Sequence, residues 1–550
     1  MRRNVLAKPN AFLPALLTLL LSALVTPSQD LTVTDVEKII SQAVSKAVAM
    51  NVKVTVSVTD REGNLLGTFA MTGASSTTLI RSVGRAGQGL ENISVPSAAA
   101  SNSKAGTAGI FSTNGNAFTT RTASFIIQEH FPPGIDNRAG GPLYGVQFSS
   151  LLCSDIAIAG LPLGLSGDPG GIPLYKNGVA VGGVGVEGDG LYTVDRVPTD
   201  TDQPFEEVIA VYASTGFESP PLIRADNILV EGIRLPFANV QSPEAVPLIP
   251  FGGLPGVVTS IVRAAPASDF VPGTLGGVSG QFSSRFPTVG GSALSAAEVT
   301  QILSSAVSLA NRVRGAIRQP IGSNARVTIS VVDTNGNVLG IFRQLDAPVF
   351  GLDVSVQKAR SANFFARSDT GTKLSAAGFG SYVSRANADG LTLNGGIAFS
   401  DRAIGFLHRP LFPDGINNTT AGPLSSLLVD WSPFNNGLQL DLIRTALLTP
   451  PMMCKTATYQ KREFLPPCPC TTIPEIRNGL QIFAGGLPIY RNGVLIGAVG
   501  VSGDGIDQDD IISAAGADVF APAPAIRSDQ IFVRGVRLPF LKFPARPFLD

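Results

Sequence analysis

The sequence predicts an α+β protein in which one unit, an antiparallel sheet packed with helices, is written twice in tandem. Three observations predict it. The stretch from Gly170 to Gly190, GGIPLYKNGVAVGGVGVEGDG, returns from Gly485 to Gly505 as GGLPIYRNGVLIGAVGVSGDG. Each copy sets an Asn-Gly pair (Asn177-Gly178, Asn492-Gly493) between short apolar runs, the residues that a type I′ hairpin turn needs for its two positive φ angles. Strict alternation at Val52, Val54, Val56 and Val58, repeated at Val327, Ile329 and Val331, marks strands with one buried face. The connections inside these strand pairs are too short for parallel β-α-β winding, so the sheets are antiparallel.

Length and composition bound the answer. A chain of 550 residues can bury two full cores, and the repeat favours two domains over three. Only 15% of residues are charged and 44% are apolar, with 60 glycines and 40 prolines, as in a compact, turn-rich extracellular protein. Formal net charge is zero and no Lys/Arg-rich run occurs, so no nucleic-acid partner is expected. Residues 1–28 read as a signal peptide: Arg2, Arg3 and Lys8 are basic, Ala11 to Val25 is apolar, and small residues follow. That apolar run falls short of the ~20 residues of a membrane span. The expectation is an exported protein, periplasmic or extracellular, without a transmembrane anchor.

Taken in order, the first unit (31–240) opens with a helix whose capping box is assigned to Thr34 and Glu37; the second (293–543) opens with Ser295 and Glu298 in the same roles. Helical spacing follows at Val36, Ile39, Ile40, Ala43 and Val44, and at Val299, Ile302, Leu303, Ala306 and Val307. Asp60 and Asp333 begin Gly-Asn turns, where their side chains can cap the loop. The copies then differ by an extra stretch, about Ser75 to Val95, in the first. They meet again at helices carrying Lys104-Ala105 and Lys358-Ala359, and at the loops FPPGIDNRAGGPL from Phe131 and FPDGINNTTAGPL from Phe412. Each unit closes in Arg-Leu-Pro-Phe. Residues 241–292, rich in Pro, Gly and Ser, read as a linker.

Of the four cysteines, Cys454, Cys468 and Cys470 cluster while Cys153 stands alone. Cys454 closing on Cys468 or Cys470 would make a staple worth about 3 kcal/mol. A zinc site is the alternative, disfavoured because no histidine lies near to complete it; the partner of Cys153 is left open.

The capped helix, the strand ending VVDTNGNVLGIFRQLDAP, the QKARSANFF helix and GGLPIYRNGVLIGAVGVSGDGIDQDD, in that order, resemble the GlcG/HbpS family of haem-binding or haem-degrading-type domains. The resemblance spans most of a family domain in the second copy and three shorter stretches in the first. It implies a profilin-like fold that oligomerises and, in some members, binds haem or a corrinoid. Two tandem copies would then pack as an intramolecular pseudo-dimer, with room for a homo-oligomer.

A haem or other tetrapyrrole site is expected where the Lys helix, the Phe-Pro loop and the hairpin end converge. Phe131 and Phe412, with Phe111 and Phe364, would form its wall; Lys104, Lys358, Arg121 and Arg402 would meet propionates; His130 or His408 would ligate iron. Each has a plainer reading: both lysines as exposed residues on a small-residue helix face, both histidines as ordinary hydrogen-bonded residues. Gly183-x-Gly185-x-x-Gly188 spells a dinucleotide fingerprint, but it follows a hairpin arm and is rejected as such. Amides at the start of the Asp507 helix keep a weaker claim as an anion cradle. Asp509-Asp510 is read as complementing the helix dipole. No Ser-His-Asp order, zinc-hydrolase motif or phosphate loop occurs. The expected function is non-catalytic binding of a small ligand, with a cofactor-free interaction module and a haem-degrading enzyme as alternatives.

Overall fold

A computed structural model describes residues 30–543 apart from 157–158, 241, 261 and 450–468. Residues 1–28, expected to be a signal peptide, and Cys454 and Cys468 lie outside the described residues. The first half runs α1 (Val33–Ala49), β1 (Thr55–Asp60), β2 (Leu65–Met71), α2 (Ser97–Phe111), α3 (Thr120–Ile126), β3 (Gly171–Lys176), β4 (Val179–Glu187) and α4 (Phe205–Ala213). The capping box of α1 is formed by Thr32 and Asp35 instead of Thr34 and Glu37. In Leu-Thr-Val-Thr-Asp-Val-Glu both pairs have the right spacing, and the helix starts two residues earlier than expected.

The proposed linker is partly sheet. It supplies β5 (Gly256–Ser260), which pairs with β2, and the hairpin β6 (Phe270–Leu275) and β7 (Val278–Ser283), which joins the second half. Its glycines and prolines punctuate strands. The second half continues as α5 (Ala296–Ala310), β8 (Val327–Val332), β9 (Val338–Gln344), α6 (Gly351–Phe365), α7 (Asp401–Leu407), β10 (Gly486–Arg491), β11 (Val494–Gly503) and α8 (Ile506–Ala517). The extra stretch of the first half forms two strands, Thr77–Ile80 and Ile93–Pro96, in a small side sheet.

The main sheets have orders β5-β2-β1-β4-β3 and β6-β7-β9-β8-β11-β10, so β2-β1-β4-β3 and β9-β8-β11-β10 follow the same path. Register agrees as well: Val56 faces Val186, and Ile329 faces Val501. Both hairpins turn on Asn-Gly with positive φ, 51° and 80° at Asn177-Gly178 and 51° and 78° at Asn492-Gly493. The glycines just before the hairpin ends have a packing role. A Cβ on Gly185 would lie 2.1 Å from the Ser101 carbonyl, and one on Gly500 would lie 1.9 Å from that of Ser355. Glycine therefore lets α2 and α6 lie directly on their sheets, which draws Lys104 and Lys358 into the interior.

One apolar core runs from the first half into the second, joining Val56, Phe111, Phe350, Ile404 and Ile482. Phe111 meets Phe350 edge-on with ring centroids 4.8 Å apart. Ion pairs cross the same seam: Arg61 to Asp346 at 2.8 Å, Arg343 to Glu62 at 2.9 Å and Arg360 to Asp155 at 2.7 Å. The disulfide joins Cys153, whose partner was open, to Cys470, which corrects the expected Cys454–Cys470 staple; the Cys454–Cys468 alternative lies outside the described residues. Sequence proximity favoured neighbours among the cysteines, whereas the fold brings residues 317 positions apart to a Cα separation of 5.0 Å. The outer face of the second sheet packs a separate core of α5 and α8, with Val299, Ile302, Val499 and Ile512. No helix among the described residues is long and apolar enough to cross a membrane.

Candidate functional site

Both lysines are fully buried, against the expectation of exposure. The cause is the glycine-mediated contact of their helices with the sheets. Lys104 Nζ lies 2.9 Å from Asp168, 3.0 Å from Glu187 and 2.6 Å from Glu206. Burial pulls its pKa down, but the three carboxylates overcome this and hold the ammonium well above its usual value. Burial raises Glu206 to about 7 against the pull of Lys104. Asp168, Glu187 and Glu206 have the spacing of a cation-binding triad, and the lysine ammonium occupies the cation's place.

The second half repeats the arrangement with fewer acids. Lys358 Nζ donates to the Val501 carbonyl at 2.8 Å and to Asp509 Oδ2 at 2.9 Å, and it stands 4.6 Å from the centre of the Phe483 ring. Burial lifts Asp509 to about 7 despite Lys358. Asp401 is buried with neither oxygen hydrogen-bonded, and burial drives its pKa well above the carboxylate range.

The arginines are committed too. Arg121 contacts Glu207 at 2.7 Å, Asp195 at 2.6 Å and Asp202 at 3.0 Å; Arg402 contacts Asp510 at 2.5 Å and Asp507 at 2.8 Å. Neither is free for propionates, since each is neutralised within its own half. The sequence reading missed these carboxylate partners. Their signal was an adjacent acid pair in the helix after each hairpin, Glu206-Glu207 and Asp509-Asp510.

Phe131 and Phe412 are buried at cis Phe-Pro bonds, packed on Phe125 and Phe406. Their loops meet each other across the seam. The Asn137 amide donates to Asn417 Oδ1 at 3.1 Å, and the Asn417 amide donates to Asn137 Oδ1 at 3.0 Å. The loops that carry both phenylalanines are occupied as an interface. His130 Nδ1 is bonded to the Arg138 carbonyl and His408 Nδ1 to that of Ile404. Burial lowers His408 to about 4, so it is neutral.

A cavity of about 590 Å³ lies between the halves, within the range of small-ligand sites. The first half supplies Phe111, Phe118, Ile126 and Leu143, and the second supplies Phe350, Phe483, Ser502 and Asp509 among others. The Gly-rich loop and first turn of α8 form one wall, so of the expected elements the end of the Lys104 helix and the second hairpin's end do converge here. Lys104, Lys358, Arg121, Arg402, Phe131, Phe412, His130 and His408 are not among its lining residues.

The fold and the seam define an α+β protein with antiparallel sheets and a cavity lined from both halves. Residues 452–518 match the family described as haem degrading protein HbpS-like, so the second half carries an HbpS-like segment; the match lies wholly in that copy. An uncharacterised 15.0 kDa protein of Citrobacter freundii, from a dhaT-dhaS intergenic region, is 50% identical over 42 residues. That is 8% of this chain, and the chain spans about 30% of the length of this curated relative. Among solved structures, Klebsiella pneumoniae ORFY is 21% identical, covering 41% of this chain and 88% of its own, with a TM-score of 0.21. A PduOC–haem complex is 17% identical, covering 41% and 94%, at 0.19, and a Streptomyces reticuli HbpS double mutant is 21% identical, covering 38% and 97%, at 0.20.

Proposed function

We propose that the chain is an exported, non-catalytic binding protein in which two GlcG/HbpS-like units, 31–240 and 293–543, form one intramolecular pseudo-dimer. A small amphipathic ligand sits in the cavity between them. The observation that supports this most directly is the cavity itself, walled by phenylalanines from both halves.

The family match makes a haem-related ligand the first to consider. Iron bound by a protein commonly takes His, Cys, Met or Tyr, and no described residue of those types lines the cavity. An iron-ligated haem therefore does not fit there, and no haem chemistry follows from these residues. A tetrapyrrole would be held through its apolar faces, with carboxylates at Arg314 and Lys542 of the cavity lining.

Titration of the purified protein with hemin and with metal-free protoporphyrin IX tests the reading. Equal micromolar binding of both, unchanged in His130→Ala and His408→Ala, is the expected result. A hemin-specific Soret shift lost with either histidine would overturn it. If neither compound binds, the interaction-module reading takes its place, which the exposed run Leu427, Leu428 and Val429 favours. Export is tested by N-terminal sequencing of protein from the envelope or medium, expected to begin near residue 27 to 31; an intact Met1 would refute it.

A further inference from the structure

Each half carries a small hairpin near its end, and the two hairpins are built alike but held differently. Leu229–Val230 pairs antiparallel with Ile233–Arg234, and Phe532–Val533 pairs with Val536–Arg537 in the same register. Both turn on a positive-φ residue followed by glycine, 52° and 81° at Glu231-Gly232 and 50° and 76° at Arg534-Gly535. Each is closed at its base by the same bond. The Leu235 amide donates to the Ile228 carbonyl at 3.1 Å, and the Leu538 amide donates to that of Ile531 at 3.0 Å.

The tips differ. Arg534 donates to Thr420 Oγ1 and the Ala421 carbonyl, pairs with Asp389 at 3.3 Å and lies 4.7 Å from the centre of the Phe412 ring. The second hairpin is therefore latched to the Phe412 loop and to Asp389. Glu231 stands in Arg534's place with its side chain 57% exposed. Its contact is Lys542 at 4.0 Å, a lysine that also meets Asp507 at 2.5 Å. A surface pair of this kind contributes little. Behind the tips, Val533 is fully buried whereas Val230 is half-buried.

The loosely held hairpin is the one on the cavity. Leu229, Val230, Glu231 and Gly232 line it, and all but Val230 are also exposed, so the hairpin stands between cavity and solvent. Its base is fixed: Ile228 and Leu235 are buried, and Gln319 Nε2 donates to the Asn227 carbonyl at 2.9 Å. Local opening draws on segments with few buried contacts, and the covers of ligand sites are built from such segments.

We propose that the hairpin 229–234 is the gate of the interhalf cavity. It swings on the base formed by Ile228 and Leu235, while its counterpart, latched by Arg534, stays shut. The inference rests on the ligand-binding reading above and adds the route by which a ligand enters.

Hydrogen exchange on the purified protein tests it, read at 229–234 and 532–537 and corrected for the intrinsic rate of each sequence. Ladder and turn are the same in both hairpins, so a difference reports opening. The first should exchange at least about tenfold faster than the second. Arg534→Ala should bring the second close to the first. Access is read separately, by peptide-resolved iodoacetamide labelling of Ile126→Cys, which puts a thiol on a buried part of the cavity wall. Glu231→Gln, which removes the ion pair at the tip, should raise both the exchange of 229–234 and the labelling by about two- to fivefold. Arg534→Ala should leave the labelling unchanged. Equal exchange in the two wild-type hairpins would overturn the proposal, whether or not Ile126→Cys folds. Labelling that stays constant while Glu231→Gln speeds the hairpin would overturn it too. No arm uses a ligand, so a protein that binds neither hemin nor protoporphyrin loses the binding reading and keeps the gate, and equal exchange removes the gate alone.

Discussion

The two halves hold the same lysine on the same helix, yet surround it differently. Lys104 is enclosed by Asp168, Glu187 and Glu206; Lys358 has Asp509 and a backbone carbonyl. Aligning the hairpins places Phe483 where the first half has Asp168, and Ser502 where it has Glu187. Those two replacements remove two buried charges, and both new side chains line the interhalf cavity. The first copy uses its lysine to close a packed ionic cluster, while the second leaves the equivalent ground to a phenyl ring and an unpaired hydroxyl. Two sheets of like strand order thus hold one lysine in a packed ionic cluster and the other beside the cavity.

The largest effect that tests this comparison is removal of each lysine. Lys104→Met strands three buried carboxylates, and a stability loss of about 5 kcal/mol or more is expected, enough to threaten folding. Lys358→Met strands one carboxylate already raised to about 7, and about 3 kcal/mol is expected. Urea unfolding of both variants measures the difference; equal losses would mean that the extra acids of the first half carry no weight.

Next in size is the tie between the halves. Cys153–Cys470 closes a span of 317 residues, so Cys153→Ser with Cys470→Ser should cost about 5 kcal/mol in the chain-entropy picture. Because the apolar core and ion pairs also cross the seam, calorimetry should still show a single transition. Two resolved transitions would show that the halves differ in stability and that only the disulfide couples them.

Much of the scaffold was legible because it depends on local chemistry: both Asn-Gly turns, the valine alternation and the Ser295 cap are short-range signals. Thr32 and Thr34 show the limit of such signals, since two overlapping capping boxes fit one sequence. The burial of Lys104 depends on glycines about 80 residues away that admit its helix to the sheet, and its acids lie up to 102 residues along the chain. Spacing cannot reveal that. The strands inside the supposed linker were hidden because edge strands tolerate the Gly and Pro that otherwise signal loops. Residue type and the nearby Phe-Pro loops make His130 and His408 candidate iron ligands, whereas the fold ties both to backbone carbonyls and neither lines the cavity.

The smallest expected effect is a pH slope, and it concerns what the two lysine sites share. Glu206 and Asp509 are both raised to about 7, so between the unfolded carboxylate range and pH 7 the folded chain holds protons that the unfolded chain has lost. Their contribution is therefore present at low pH and fades as pH rises through 7, by at most about 1.4 kcal/mol per pH unit for each group. His408 has the opposite sign. Its folded pKa is lowered to about 4, so between pH 4 and 6.5 the unfolded chain binds a proton that the folded chain refuses, and stability increases with pH there. Asp509→Asn should flatten the fall in stability between pH 5 and 7 by about 1.4 kcal/mol per unit, and His408→Gln should steepen it by a similar amount below pH 6.5. Urea midpoints across that range, compared as slopes and not as absolute stabilities, read this out even where a substitution weakens the fold. A slope unchanged in Asp509→Asn would place the Asp509 proton elsewhere and remove the likeness between the two lysine sites.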